Sequence, residues 1–446
     1  MKRVVKVAVR DIRLLPVVLA VLISVLSGAM AASAEDEIII AGEFLTLDRC
    51  IEIALKQQPN LMYYLYQINQ GEAQVGQAQS GFYPTLDLQG GYTRNQIVNK
   101  YHTGLNPPPT SITNKDDYNA SAQLNLMIFD FGKTITNVRM KNYYLMSSKK
   151  TYDAQANSTA FNVKGSYYGV VTAKRTRDVN AESVKKYEQQ LNQAKDFFKA
   201  GTQALYYVTQ AEVNLSGAKI SLMNSENALA IAWDNLTTTM GIIYNAEFKI
   251  DEDMSPKQFS VNFEEALDTA YNNRPDLQAL TAARDAAQKN IEYAKKDYFP
   301  TISGTASYNF DDGRFPLDNG WMAGVVMKWN IFSGFNTKYK VAEAKAARDA
   351  AEAKIQALKL SVHSGIKQSF LNLKLAGDMI PAAELQVKYA TENMDVVTFK
   401  YEAGLASPVD YTDAVVQYKS AKLTYINALY NYKIAQAAIT LAMGSR

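Results

Sequence analysis

Few side chains in this 446-residue chain suit metal or covalent chemistry. Cys50 is the single cysteine, so neither an internal disulfide framework nor a cysteine-based metal cluster is possible, and we expect it to be buried. The two histidines, His102 and His363, are too few for a multi-histidine centre and are expected to be solvated. The sequence has no glycine-rich phosphate loop and no G-x-S-x-G motif. These absences argue against an enzyme, and the sequence predicts no cofactor and no metal site.

Two carboxylates near the C-terminus are spaced one helical turn apart. Asp410 and Asp413 stand at i and i+3, which places them on one face of a helix. The segment Ser407-Pro408-Val409-Asp410 is typical of a helix start, with a serine N-cap, proline in the first turn and an acid three residues after the cap. A capping box therefore explains Asp410, whereas Asp413 lies one turn further on and has no such explanation.

The first 34 residues have the pattern of a secretory signal peptide. Five basic residues precede an apolar stretch that runs over residues 14–30, and Ala32-Ser33-Ala34 provides a small-residue cleavage site. An uncleaved membrane anchor is the alternative, which the shortness of the apolar run disfavours. Removing five positive charges and one negative charge would change the net charge from +3 to −1. The basic balance therefore indicates no nucleic-acid partner.

The rest of the chain contains two copies of one unit. Tyr83-Pro84-Thr85 matches Phe299-Pro300-Thr301, 216 residues later, and Ala200-Gly201 matches Ala403-Gly404, 203 residues later. The offset falls by 13 because the first copy has an insert, 99–117, whose three consecutive prolines predict an exposed loop. The predicted division is a first repeat at 35–241, a linker at 242–262 and a second repeat at 263–446.

Each repeat contains two segments in which apolar and polar residues alternate, the pattern of strands with one apolar and one polar face. In one of them Ile302, Ala306 and Phe310 alternate with Ser303 and Ser307. The predicted strands are about 84–97 and 117–129 in the first repeat, and about 301–311 and 320–332 in the second.

The length of these strands favours a transmembrane barrel over a soluble antiparallel sheet. They exceed the usual five or six residues and reach the roughly 9–11 that cross a bilayer. Aromatic residues also gather where the strands meet the helices, as in an interfacial girdle. Four strands cannot close a barrel, and open edges in lipid would leave backbone groups unpaired, so several chains must share one barrel.

Long helices account for the remainder of each repeat. A helix precedes the strands, and a helix of about 100 Å follows them at 133–200 in the first repeat. Its partner at 336–403 contains Gly377 and Pro381, which predict a kink or a break. Return helices at 203–240 and 408–443 have apolar residues at alternating spacings of three and four, which predicts left-handed coiled-coil packing.

The chain resembles the TolC family of outer-membrane efflux proteins. The resemblance lies in the order of elements behind the signal peptide: a strand pair, a long helix, a tight turn and a return helix, all present twice. The resemblance covers essentially the whole mature chain and rests on the Tyr-Pro-Thr and Phe-Pro-Thr junctions, the Ile-Phe-Asp-Phe-Gly and Ile-Phe-Ser-Gly segments and the two Ala-Gly turns. It implies an α+β membrane protein: a homotrimer whose 12-stranded transmembrane β-barrel, with four strands per chain, continues as a periplasmic coiled-coil α-helical barrel.

The function implied by this resemblance is that of a passive exit duct in a tripartite efflux or type I secretion system. Such ducts sit in outer-membrane lipid and dock onto a periplasmic membrane-fusion adaptor protein and an inner-membrane RND or ABC transporter. The sequence alone leaves one alternative, a secreted structural coiled-coil protein whose β segments form soluble hairpins.

The resemblance also assigns candidate functional residues at the far end of the long helices. Asp410 and Asp413 match positions at which similar proteins place acidic residues around the periplasmic entrance, where six carboxylates in a trimer would attract cations. The arginine and aspartate that lock the family's best-known closed tip are replaced by Ala406 and Tyr207, so that ion pair is absent. The turns expected to contact the adaptor are Gly201-Thr202 and Gly404-Leu405.

Overall fold

A computed structural model describes residues 43–100, 110–242, 248–256, 259, 261–313 and 317–446. The predicted signal peptide at 1–34 and His102 lie outside these residues. Within the described ranges, no helix combines the length and the apolar character needed to span a membrane.

The first repeat begins with a short strand, β1 (Phe44–Leu45), and two helices, α1 (Leu47–Gln57) and α2 (Pro59–Gln79). The sequence predicted a single helix here, but Pro59 restricts Gln58 to an extended conformation (φ −64°, ψ 116°) and thereby separates the two. The elements that follow are the strands β2 (Thr85–Lys100) and β3 (Thr110–Phe129), the long helix α3 (Lys133–Lys199) and the return helix α4 (Leu205–Met240).

The second repeat has the same order of elements. The predicted linker contains a short strand, β4 (Lys249–Ile250), which pairs in parallel with β1. Pro275 separates two helices as Pro59 does, because Arg274 is again extended (φ −62°, ψ 119°). The remaining elements are α5 (Phe263–Asn273), α6 (Pro275–Lys295), β5 (Thr301–Asp312), β6 (Asp318–Lys328), α7 (Asn336–Glu402) and α8 (Pro408–Ala442).

The long strands form one antiparallel sheet in the order β2-β3-β5-β6. Within the described residues, β2 and β6 each have a partner on one side only. The register aligns apolar residues across all four strands, and the next row, on the opposite face, is polar or glycine. The two rows are Leu88, Ala122, Tyr308 and Trp321, and Gln89, Ser121, Asn309 and Gly320.

Two strand boundaries differ from the sequence-based expectation. The segment predicted as a loop at 99–117 is partly strand, because the antiparallel ladder continues until Lys100 pairs with Thr110. The strand β6 ends at Lys328 rather than near residue 332, because its partner there is Thr301, the first residue of β5. The first hairpin therefore extends well beyond the second.

Each junction between strand and long helix passes through two successive residues with left-handed backbone conformation. The four residues are Phe131 (φ 55°), Gly132 (φ 79°), Gly334 (φ 61°) and Phe335 (φ 66°). A phenylalanine in this conformation costs roughly 1–2 kcal/mol. In the first repeat Asp130 offsets part of this cost, since its carboxylate accepts the backbone N–H groups of Gly132, Lys133 and Thr134 at 3.0, 3.0 and 2.6 Å.

The helices α3 and α7 each contain 67 residues. The sequence predicts a kink or a break at Pro381, and of these the break is absent, because the helix runs without interruption from Asn336 to Glu402. Pro381 lies on an exposed face, and the residue four positions earlier, whose carbonyl faces the proline ring, is the adaptable Gly377. The predicted coiled-coil seams are confirmed: Val208, Ala211 and Leu215 in α4, and Tyr411, Ala414 and Tyr418 in α8, are buried.

Candidate functional site at the helical tip

The two tip turns have the same geometry. Gly201 and Gly404 have positive φ angles of 69° and 73°, and each terminates a long helix. The next backbone N–H donates to a carbonyl five residues earlier, from Thr202 to Phe197 at 3.0 Å and from Leu405 to Lys400 at 2.7 Å. This is the Schellman arrangement, which satisfies carbonyl groups left open at a helix end. A Cβ added at either glycine would meet nothing within 4 Å, so the backbone angle alone favours glycine.

Large apolar side chains surround these turns and are exposed in the single chain. Leu405 is 78% exposed, Tyr206 67% and Leu205 58%. Single exposed apolar residues are common, whereas several at the end of an elongated molecule form a patch suited to a protein contact. The predicted turn residues Thr202 and Leu405 therefore lie at an apolar tip.

The predicted capping box at the start of α8 is present. The Asp410 backbone N–H donates to Ser407 Oγ at 3.1 Å, and the Ser407 backbone N–H donates to Asp410 Oδ2 at 3.0 Å. Hydrogen bonds from the side chain and the backbone N–H of Ser407 to the carboxylate lower the pKa of Asp410. Asp410 thus has a local structural role while its side chain remains exposed.

Asp413 lies one turn further along α8 and is also exposed. It forms no salt bridge with any described residue. Burial raises the pKa of Tyr187 in α3, and the charge of nearby Asp413 adds to this effect. The structure therefore places Asp410 and Asp413 on the first two turns of one helix without engaging Asp413 in capping.

A buried polar cluster beneath the tip connects the two repeats. Gln190, on α3, is 2% exposed and donates from Nε2 to the carbonyl of Pro408 (3.1 Å) and to Thr412 Oγ1 (2.9 Å). Asn214, on α4, donates to the same hydroxyl at 3.1 Å. These bonds attach the start of α8 to the α3–α4 hairpin. Sequence reasoning missed them, because the partners are some 200 residues apart and belong to no local pattern.

A second connection between α3 and α8 is charged. Glu182 accepts hydrogen bonds from Tyr418 Oη at 2.7 Å and from Lys422 Nζ at 2.8 Å. Partial burial would raise the pKa of Glu182, but the donors Lys422 and Tyr418 outweigh it and lower this pKa. Tyr418 lies in the coiled-coil seam that the spacing in α8 predicts, and it combines packing there with this polar contact, which the spacing did not predict.

The remaining residues considered for chemistry are not part of the tip. Cys50 is fully buried, and desolvation raises the pKa of its thiol to about 12. His363 is exposed and lies edge-on to Phe263, with ring centroids 5.7 Å apart. Among the described residues, no group of three or more metal-ligating side chains is assembled.

Two repeats, an amphiphilic sheet and long antiparallel helical hairpins are together the architecture of outer-membrane efflux channels. A model of the outer membrane efflux protein family matches residues 50–242 and 266–445. The chain belongs to this family, and is therefore an outer-membrane efflux channel with its helical portion in the periplasm. The predicted family is confirmed, and the alternative of a secreted structural protein is not supported.

Individual relatives are distant but cover most of the chain. The outer membrane protein TolC of Escherichia coli is 24% identical over 83% of this chain and 76% of TolC. The protein CyaE of Bordetella pertussis is 22% identical over 89% of this chain and 83% of CyaE. Among solved structures, the CmeC outer membrane channel of Campylobacter jejuni has a TM-score of 0.78 at 19% identity, over 93% of this chain and 90% of CmeC. At that identity it supports the fold.

Proposed function

We propose that three copies of this chain form the exit duct of an efflux or type I secretion system. The observation that carries the proposal is the four-stranded sheet, which has one apolar and one polar face and whose edge strands β2 and β6 find no second partner among the residues that the structure describes. Unpaired backbone groups in lipid cost several kcal/mol each, so each edge requires a strand from another chain. Three sheets joined β2 to β6 would give a 12-stranded barrel with lipid outside and water inside.

Disulfide crosslinking tests the proposed seam between β2 and β6. Leu88→Cys, in β2, is combined in turn with Trp321→Cys, Ala323→Cys or Val325→Cys, which lie on the same apolar face in β6. We expect at least one combination to give covalent dimers and trimers in isolated outer membranes. The native Cys50 does not interfere, because it is buried and its thiol is protonated.

The matched control pairs two residues in the centre of the sheet. Ala122 and Tyr308 are register partners in β3 and β5, so cysteines there should join within one chain. If the control pair forms its intrachain disulfide but no combination of β2 and β6 cysteines gives interchain products, the trimeric barrel is refuted.

We propose further that the turns Gly201-Thr202 and Gly404-Leu405 dock onto a periplasmic adaptor, which connects the duct to an inner-membrane RND or ABC transporter. The exposed tip supports this role, since a few well-buried side chains, often tyrosines such as Tyr206, provide most of the binding energy of a protein interface. Leu405→Asp should abolish export and adaptor crosslinking while the trimer persists. Leu405→Met keeps the apolar area and should keep export, and normal export by Leu405→Asp would contradict docking at this turn.

The entrance of the duct is proposed to be lined by Asp413, with Asp410 combining a lining role and its capping box. Both are exposed on the first turns of α8, and the trimer would bring six carboxylates around one axis. Such a ring favours cations over anions at the entrance. The duct itself catalyses no reaction in this proposal, and energy for export comes from the transporter.

A further inference from the structure

Aromatic side chains form a connected cluster where the apolar face of the sheet meets the helices. A β-bulge after Met127 brings Phe129 opposite Ile302, and so places Phe129 on the apolar face. Phe129 contacts Phe131, with ring centroids 4.8 Å apart, and Phe131 stacks on Phe299 at 5.2 Å. The apolar face therefore continues past the strand ends to the start of the helices.

Two lysines lie against aromatic rings at this boundary between sheet and helices. Lys296 Nζ lies 5.7 Å from the ring centroid of Phe299. Lys338 Nζ lies 5.9 Å from the ring of Phe335 and 5.8 Å from that of Tyr339. Within the described part of the chain, neither lysine forms a salt bridge. Their charge is available to a partner outside the chain.

Two other lysines at this level are already paired. Lys133 and Lys340 donate to the two carboxylate oxygens of Asp297, at 2.5 and 3.2 Å. Because Asp297 follows Lys296 directly, these bonds hold the starts of α3 and α7 beside the end of α6. Lys296 and Lys338 therefore lie at one level of the molecule, at the boundary between sheet and helices.

We propose that Lys296 and Lys338, bordered by these aromatic rings, bind the phosphate headgroups of acidic phospholipids in the leaflet at the helical end of the barrel. Aromatic rings mark headgroup level in membrane proteins, and lysine side chains extend along apolar surface to place their ammonium groups in the polar region. A phosphate diester complements an ammonium group that has no carboxylate partner. The inference rests on the proposed barrel, since that barrel sets the height of the bilayer.

The first repeat does not duplicate this surface. At the repeat offsets of 216 and 203, Ser80 and Ile135 stand in place of Lys296 and Lys338. A trimer would therefore carry three acidic-lipid sites, one on each second repeat, rather than a uniform basic ring. Each lysine near an anionic lipid surface contributes about fivefold in affinity, so the two together provide up to about 25-fold.

Tryptophan quenching by brominated lipids measures this preference. The Trp329 side chain donates to the carbonyl of Tyr298 at 3.1 Å and so reports on the surface beside Lys296. In a Trp233→Phe, Trp321→Phe background, the trimer is reconstituted into mixtures of brominated phosphatidylglycerol and phosphatidylcholine. We expect phosphatidylglycerol to be favoured several-fold near Trp329, and about 0.5 M NaCl to remove most of that preference.

The double variant Lys296→Gln, Lys338→Gln should bring the relative association constant close to one, and Lys296→Arg, Lys338→Arg should retain the preference. Lys354→Gln is the control, because this exposed lysine lies on α7 about 24 Å beyond Lys338. A preference that survives high salt in the wild type, or survives the glutamine variant, would overturn the proposal. Competition by inorganic phosphate alone would also overturn it, in favour of a free-phosphate site.

Trimer stability and single-channel conductance are recorded on the same samples. A conducting trimer without phosphatidylglycerol preference refutes the lipid site alone. Loss of the trimer in the wild type would instead refute the proposed function.

Discussion

The two faces of the sheet can be tested by placing one charge on neighbouring residues. Ala306 belongs to the apolar row with Leu124 and Ala323, whereas the next residue, Ser307, pairs with Gln123 on the opposite face. We compare Ala306→Lys with Ser307→Lys. The two variants introduce the same side chain at the same depth, so the face of the sheet is the main difference between them.

The expected magnitude follows from the position of Ala306 in the strand. It is five residues beyond Thr301, about 17 Å along the strand at roughly 3.4 Å per residue. With the usual tilt of about 40°, this corresponds to about 13 Å of depth, the middle of an apolar band about 25 Å tall. A lysine facing lipid at that depth costs about 2–4 kcal/mol per chain, and a lysine facing the lumen should cost less than about 1 kcal/mol.

The assay combines trimer formation with unfolding. We expect Ala306→Lys to lose the heat-modifiable trimer, because every chain of the assembly carries the penalty, and Ser307→Lys to keep it. Urea unfolding in lipid vesicles, followed by the fluorescence of Trp321, gives the free-energy difference between variants. Equal losses in both variants, or a greater loss for Ser307→Lys, would refute the assignment of the lipid-facing surface.

Three further outcomes follow from the helical part. Asp413→Asn should reduce the cation preference of single channels in asymmetric KCl without lowering stability, whereas a selectivity change confined to Asp410→Asn would contradict the assigned roles. Because Lys422 holds the pKa of Glu182 low, this pair stabilises the protein above about pH 5 and loses its contribution as the pH falls through that lowered pKa. Glu182→Gln should remove this acid-sensitive component, less than about 1 kcal/mol for a partly exposed pair, from unfolding curves recorded between about pH 3 and 7. Leu236→Ala, at a fully buried site, should lower the free energy of unfolding by about 2–5 kcal/mol in denaturant titrations, and an effect below about 1 kcal/mol would contradict its place in the core.

The repeat, the strands and the coiled-coil seams could be predicted because each leaves a local signal. Alternation of apolar and polar residues along Ile302–Phe310 indicates a strand with two different faces. The spacing of Tyr411, Ala414 and Tyr418 indicates a helical seam. The break between α1 and α2 also has a local signal, Pro59, which restricts the preceding residue to an extended conformation. The extension of the first hairpin was missed, because the prolines of its insert masked continued strand pairing on either side.

The polar contacts of the tip leave no such signal. Glu182 and Lys422 are separated by 240 residues, and neither residue type nor spacing distinguishes them from other surface charges. The role of Gln190 depends on the packing of α8 against α3, which is set by tertiary structure. The trimer and the acidic entrance remain predictions, since each needs residues from more than one chain.

Pro381 gives the two long helices of one chain different stiffness. It removes one backbone hydrogen bond from the interior of α7, whereas α3 has no proline along its whole length. The 21 residues that follow Pro381 in α7 form a lever arm of about 32 Å, so a bend of only about 10° at the proline would move the tip by about 6 Å. We therefore expect the second-repeat hairpin to bend more readily than the first-repeat hairpin.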